Sequence, residues 1–124
     1  MRILIVEDSD SIRVMLETLV AGCGHAVEAV SRGAQGVEAA LARPPAAILL
    51  DLHLPGGKDG LDVVRELRGR DETRLVPIIV ISADDASKDR AIEAGASAYY
   101  TKPFSPTALL KHLESLFTKA SERS

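Results

Sequence analysis

Four short strand-forming runs in this chain each stop at a polar side chain of a different kind, and this restricts the fold more than any other feature. Ile3–Val6 leads to Glu7 and Asp8, Ala46–Leu50 to Asp51, Ile78–Ile81 to Ser82, and Ser97–Thr101 to Lys102. Continuously apolar runs belong inside a parallel sheet covered by helices on both faces, since a sheet with one wet face would alternate. In such sheets the loops after the strands face solvent while the strands below are held rigid, so reactive groups gather at the carboxyl ends. The stretch Ala46–Gly60, AAILLDLHLPGGKDG, shows this most sharply. A buried strand hands a carboxylate to the surface just before a loop with Pro55, two glycines and Asp59-Gly60.

The segments between the runs read as helices. Ser9 or Asp10 can cap one carrying Ile12, Met15, Leu16, Leu19 and Val20 on a single face, closed by Gly22 and Gly24. His25–Val30 is a weaker strand, and Gly33–Arg43 an alanine-rich helix with Val37, Ala40 and Leu41 inward, stopped by Pro44-Pro45. A third helix spans about Asp59–Arg68 with Leu61, Val64 and Leu67 inward, and the charges from Arg65 to Arg74 read as its solvated face. The spacing predicts a fourth helix over Asp84–Ala94, capped by Gly95; with Ile92 its one large apolar anchor, it should be the least firmly docked. Ser105-Pro106 open a fifth, with Leu109, Leu110, Leu113, Leu116 and Phe117. Residues 1–118 thus form one domain and residues 119–124 a polar, frayed tail. Five strand–helix alternations give an α/β protein with a doubly wound, five-stranded parallel sheet.

At 124 residues the chain can bury a core without staples. The lone Cys23 excludes an intrachain disulfide, is expected to pack as a small buried hydrophobe, and fits a reducing, cytoplasmic setting. A net charge of −3 gives no basic excess for direct nucleic-acid binding. The four apolar residues near the start are too few for a signal peptide or a membrane span. His25 and His112 have no partner at metal-ligand spacing and receive no role.

In a parallel sheet the four polar strand ends converge. Three carboxylates brought within a few ångströms must be protonated, paired with Lys102 or neutralised by a cation. An oxygen-only, carboxylate-rich site suits magnesium, which retains waters and shares its coordination with phosphoryl oxygens. A carboxylate there can serve as nucleophile and become an aspartyl phosphate, with metal, lysine and hydroxyl taking up charge. Taken singly, Glu7-Asp8 reads as a helix-start acid pair, Ser82 as a cap and Lys102 as a surface charge; their joint placement favours the phosphoryl site.

The motifs ILIVEDS, LLDLHLP, IIVISA and EAGASAYYTKPF stand in the order and near the spacing of a known family. From Arg2 to Phe117 the chain resembles a response-regulator receiver domain, the CheY-like family of bacterial two-component signalling. The resemblance implies a (βα)5 fold with strand order 2-1-3-4-5 and Asp51 as phosphoacceptor. It implies Mg2+ held by Glu7, Asp8, Asp51 and the backbone carbonyl of His53, with Lys102 contacting the phosphoryl group. Ser82 would be the switch hydroxyl, Tyr99 the switch aromatic, Lys102-Pro103 a cis bond, and His53 and Asp84 would flank the hydrolytic water. Such a module is not an enzyme acting on other substrates; it catalyses its own phosphotransfer and autodephosphorylation. Its donor would be a histidine kinase or histidine phosphotransfer protein. Its output would pass through the fourth helix, fifth strand and fifth helix to a downstream partner, an output domain or a phosphorylation-dependent homodimer. One departure is an extra residue in the loop Pro55–Asp59, where Gly56 and Gly57 should leave Lys58 mobile. Two other classes read less well: an aspartyl-phosphate phosphatase needs a second aspartate at position 53, and a flavodoxin-like binder needs a Ser-, Thr- or Gly-rich loop after the first strand.

Overall fold

The computed structural model describes the backbone of residues 1–123 and the side chains of residues 1–117. The apolar runs form strands β1 (Arg2–Val6), β2 (Ala26–Val30), β3 (Ala47–Asp51), β4 (Ile78–Ser82) and β5 (Ala98–Thr101). All pair in parallel, in the order β2-β1-β3-β4-β5, so both expected sheet and expected order are present. Between and after them lie α1 (Asp10–Gly22), α2 (Gly33–Ala42), α3 (Gly60–Arg68), α4 (Lys88–Ala94) and α5 (Pro106–Arg123). The continuous hydrophobicity of β1, β3 and β4 follows from their central position, where alternate residues enter two cores. Leu4, Val6, Ile48, Leu50, Ile78 and Val80 pack with the helices α2, α3 and α4. Ile3, Ile5, Leu49, Ile79 and Ile81 face the other way, toward Leu16 and Val20 of α1 and Leu109, Leu113 and Phe117 of α5. The weaker pattern of β2 has its cause in the sheet edge, where Ala26 and Glu28 are exposed.

Local caps place the helix starts. The Ser9 hydroxyl accepts the Ile12 N–H at 3.4 Å, and Asp59 and Asp62 form a capping box that begins α3. Several expectations are corrected. α4 begins at Lys88 rather than Asp84, because the Asp84 carboxylate accepts the Ser87 N–H at 3.0 Å and holds that stretch as a turn. Ile92 is 43% exposed and the buried anchor of α4 is Ala91. Met15 is 38% exposed, and Cys23, in the turn after α1, is exposed rather than buried. Lys58 is not free: its ammonium bonds Glu66 at 2.6 Å. Arg68, assigned to a solvated face, instead donates to the carbonyls of Thr73, Arg74, Val76 and Gly95. α5 runs to Arg123, through the stretch read as a polar tail; Ser124 and the side chains from 118 onward lie outside the described residues. Among the described residues no helix is long and apolar enough to cross a membrane.

Candidate functional site

Asp51 ends β3 at the carboxyl edge of the sheet and is only 6% exposed. Its Oδ1 accepts the His53 N–H at 3.1 Å, and its Oδ2 lies 3.5 Å from Lys102 Nζ. Gly60 closes the floor of this loop. A Cβ there would stand 2.5 Å from Leu52 Cα and 2.6 Å from the Asp51 carbonyl, so α3 starts against the strand end only because residue 60 lacks a side chain.

Glu7, just past β1, is 1% exposed; one carboxylate oxygen accepts from Lys102 Nζ at 2.9 Å and the other from the Ser9 N–H at 3.1 Å. Asp8 is exposed beside it. One oxygen from each of Glu7, Asp8 and Asp51 lies within 4.8 Å of the others. Three carboxylates against one ammonium leave excess negative charge, and Asp51 registers it. Its carboxyl is pushed up to about 7, first by burial and then by hydrogen bonding and repulsion from Glu7, against the opposing pull of the His53 N–H and Lys102. Burial alone would lower the Lys102 ammonium, but Glu7 and Asp51 together outweigh it and hold the group above the ordinary lysine value. The donor set is all oxygen and short of positive charge, so these residues could hold a magnesium ion.

Ser82 ends β4, fully buried, next to Lys102, whose N–H donates to the Ser82 carbonyl at 2.7 Å. The Tyr99 hydroxyl lies near Ser82 yet donates to the Asp84 carbonyl, which leaves Ser82 Oγ without a partner among the described residues. An unpaired buried hydroxyl costs about 1–3 kcal/mol, which an incoming acceptor would relieve. At the rim, His53 Nε2 meets Asp84 Oδ2 at 2.8 Å, both side chains being well exposed. This contact, followed by the Ser87 N–H, holds the Asp84 carboxyl below the usual range. The Lys102–Pro103 bond is cis, as expected.

The structure therefore brings Glu7, Asp8, Asp51 and Lys102 together, sets Ser82 and Tyr99 behind them, and joins His53 to Asp84 across the mouth. Sequence reasoning missed Arg13. Its guanidinium donates to the Glu7 carbonyl at 3.0 Å and reaches the Asp8 carbonyl at 3.5 Å and the Asp10 carboxylate. The only signal was the i,i+3 spacing of Asp10 and Arg13 in the first turn of α1.

Fold and site together define a doubly wound α/β protein with a buried aspartate in an acidic, lysine-bridged pocket at the carboxyl edge of its sheet. The family model of the response regulator receiver domain matches residues 3–114, and the chain belongs to that family. It is 38% identical over 120 residues to the transcriptional regulatory protein GltR of Pseudomonas aeruginosa, covering 95% of this chain and 49% of that protein. It is 41% identical over 104 residues to the KDP operon transcriptional regulatory protein KdpE of Escherichia coli, covering 82% and 44% respectively. The chain thus spans about half the length of such curated relatives. Among solved structures it is similar to the receiver domain of the sensor histidine kinase PA1611 of Pseudomonas aeruginosa, which has a magnesium ion coordinated in its active-site cleft. That match has a TM-score of 0.86 and 32% identity, covering 93% of this chain and 95% of the other. The chemotaxis protein CheY4 of Vibrio cholerae matches with a TM-score of 0.84 and 27% identity, over 93% and 97%.

Proposed function

We propose that this receiver domain is a phosphorylation-controlled switch of the cytoplasm, taking a phosphoryl group on Asp51 from a histidine kinase or histidine phosphotransfer protein in a magnesium-dependent reaction. The observation that carries this reading is one buried carboxylate, Asp51, set within 4.8 Å of two further carboxylates and 3.5 Å from Lys102. Glu7, Asp8, Asp51 and the His53 carbonyl would hold the magnesium ion, which when bound supplies positive charge to the oxygens of the transferring group. An Asp51 oxygen attacks the phosphorus of a phosphohistidine; the phosphorus–nitrogen bond breaks and its electron pair returns to the imidazole, which takes up a proton. Lys102, released from part of its pairing with Glu7, balances charge on the phosphoryl oxygens, and Ser82 donates its free hydroxyl to one of them. In autodephosphorylation a water oxygen attacks the phosphorus and loses a proton, the bond to the Asp51 oxygen breaks with its electron pair returning to the carboxylate, and inorganic phosphate leaves, with His53 and Asp84 at the mouth modulating access of the water.

Movement of Ser82 toward the phosphoryl group opens space for Tyr99 to turn, and the α4-β5-α5 surface changes with it. That surface then engages a downstream partner, an output domain or a second copy of the chain. Residues 1–118 act as the receiver unit and residues 119–124 as its polar continuation. The test is incubation with acetyl phosphate followed by intact-mass measurement. A single phosphoryl adduct is expected with magnesium, and none after chelation or in the Asp51→Asn variant; an adduct that persists in that variant would overturn the assignment.

A further inference from the structure

We infer that Arg13 is a positioning residue that aims the Asp8 carboxylate, and through it the affinity of the acidic pocket for a divalent cation. The inference rests on the functional reading above. Glu7 and Asp8 lie between the last residue of β1 and the Ser9 cap of α1; the Glu7 N–H still bonds the Val30 carbonyl of β2 at 3.0 Å, but Asp8 makes no backbone–backbone bond among the described residues. The Glu7 carboxylate is held regardless, by Lys102 and the Ser9 N–H. Asp8 has no such support: its carboxylate is exposed and accepts no hydrogen bond among the described residues. Its Cα–Cβ bond is therefore aimed by its own backbone angles alone, and these decide which staggered positions of the carboxylate face the pocket.

The Glu7 carbonyl belongs to the peptide unit before the Asp8 Cα and the Asp8 carbonyl to the unit after it. Arg13 Nη1 reaches both, at 3.0 and 3.5 Å, and neither carbonyl takes a backbone N–H among the described residues. One nitrogen thus bridges the two planes whose relative rotation sets where the Asp8 side chain points. The second nitrogen, Nη2, bonds the Asp10 carboxylate and so ties the bridge to the first turn of α1. An ordinary exposed ion pair between Asp10 and Arg13 would contribute little, and the Arg13 side chain is only 20% exposed, as a group engaged on its inner side should be. Outer groups that orient metal-binding residues commonly change metal affinity by about 10-fold or more when removed.

Charge and positioning make opposite forecasts. Removing a cation beside an acidic pocket strengthens divalent-cation binding by simple Coulomb attraction. Removing a group that aims a carboxylate weakens it. Magnesium chloride is titrated into unphosphorylated wild type, Arg13→Gln and Arg13→Lys by calorimetry, and thermal unfolding of each is recorded in EDTA. The Gln variant should bind magnesium about 10-fold more weakly. The Lys variant should fall between it and wild type, because an ammonium keeps the charge and reaches a carbonyl but lacks the planar fork. In acetyl phosphate labelling, the half-saturating magnesium concentration should rise while the rate at saturating magnesium stays within about twofold of wild type. Unfolding in EDTA should change little; should the Gln variant fail to fold, the Lys variant decides. Wild-type affinity in both variants, or tighter binding by Gln, overturns the role of Arg13 alone. Failure of wild type to bind magnesium overturns the functional reading itself.

Discussion

As the proposed phosphoacceptor, Asp51 is subject to two demands that pull against each other: it must be buried to be held in place and ionised to react. Its folded carboxyl keeps its proton up to about pH 7, whereas its ordinary value is 3.8. Between those values the metal-free folded state binds the extra proton. The resulting stability is present in full below pH 3.8 and is lost as pH rises through 7. Asp51→Asn, uncharged throughout, should therefore be more stable than wild type in EDTA at pH 7.5, by about 1–2 kcal/mol after allowance for solvent screening, or several degrees in Tm. That advantage should shrink toward pH 4, and paired melting curves at the two values check it. Adding magnesium should close the gap from the wild-type side, since only wild type retains the full donor set. Asp51, Glu7, Asp8 and Lys102 were legible in sequence because strand ends are strong signals. Arg13 was not, because its partners at the pocket are backbone carbonyls, and its i,i+3 pairing with Asp10 does not mark a carbonyl that needs a donor.

At the scale of elements, α4 is held differently at its two ends. The carboxyl end is clamped: Gly95, at φ +123°, gives its carbonyl to Arg68 Nε at 2.8 Å, and the same guanidinium donates to three carbonyls of the α3–β4 loop. The amino end is held by the rim, through the Asp84 carboxylate on Ser87 and the Asp84 carbonyl under Tyr99. On the proposed reading, a pocket event should act on the amino end of α4 while the carboxyl end stays put. Gly95→Ala tests the clamp. A Cβ would stand 2.7 Å from Arg68 Cγ on a backbone that side chains rarely adopt, so stability should fall by about 1–3 kcal/mol in urea titration. Sequence reading placed α4 but misjudged its start and its anchor. Helical spacing continues back to Asp84, and nothing local shows that this carboxylate prefers the Ser87 N–H, or that Ala91 faces inward where Ile92 does not.

For the whole molecule, the sheet is a partition between two cores, one shared with α2, α3 and α4 and the other with α1 and α5, so the proposed α4-β5-α5 output face draws on both. Beryllium fluoride, which mimics the phosphoryl group, should change hydrogen-exchange protection over residues 86–100, with helices α1 and α2 little altered; changes confined to the loops around Asp51 would show that no switch reaches the proposed output face. The architecture was readable from sequence because buried parallel strands have a plain apolar signature, and only the edge strand β2 blurred it. The partition has a spectroscopic consequence as well. The chain has no tryptophan and two tyrosines, adjacent in β5. Being neighbours in a strand they point to opposite faces, Tyr99 joining the core with α4 and Tyr100 the core with α5, where its hydroxyl meets His112 Nδ1 at 2.8 Å. Tyr100→Phe thus leaves a single native fluorophore on the α4 side, and Tyr99→Phe a single one on the α5 side, so that unlabelled protein reports by its own emission which half of the molecule has moved.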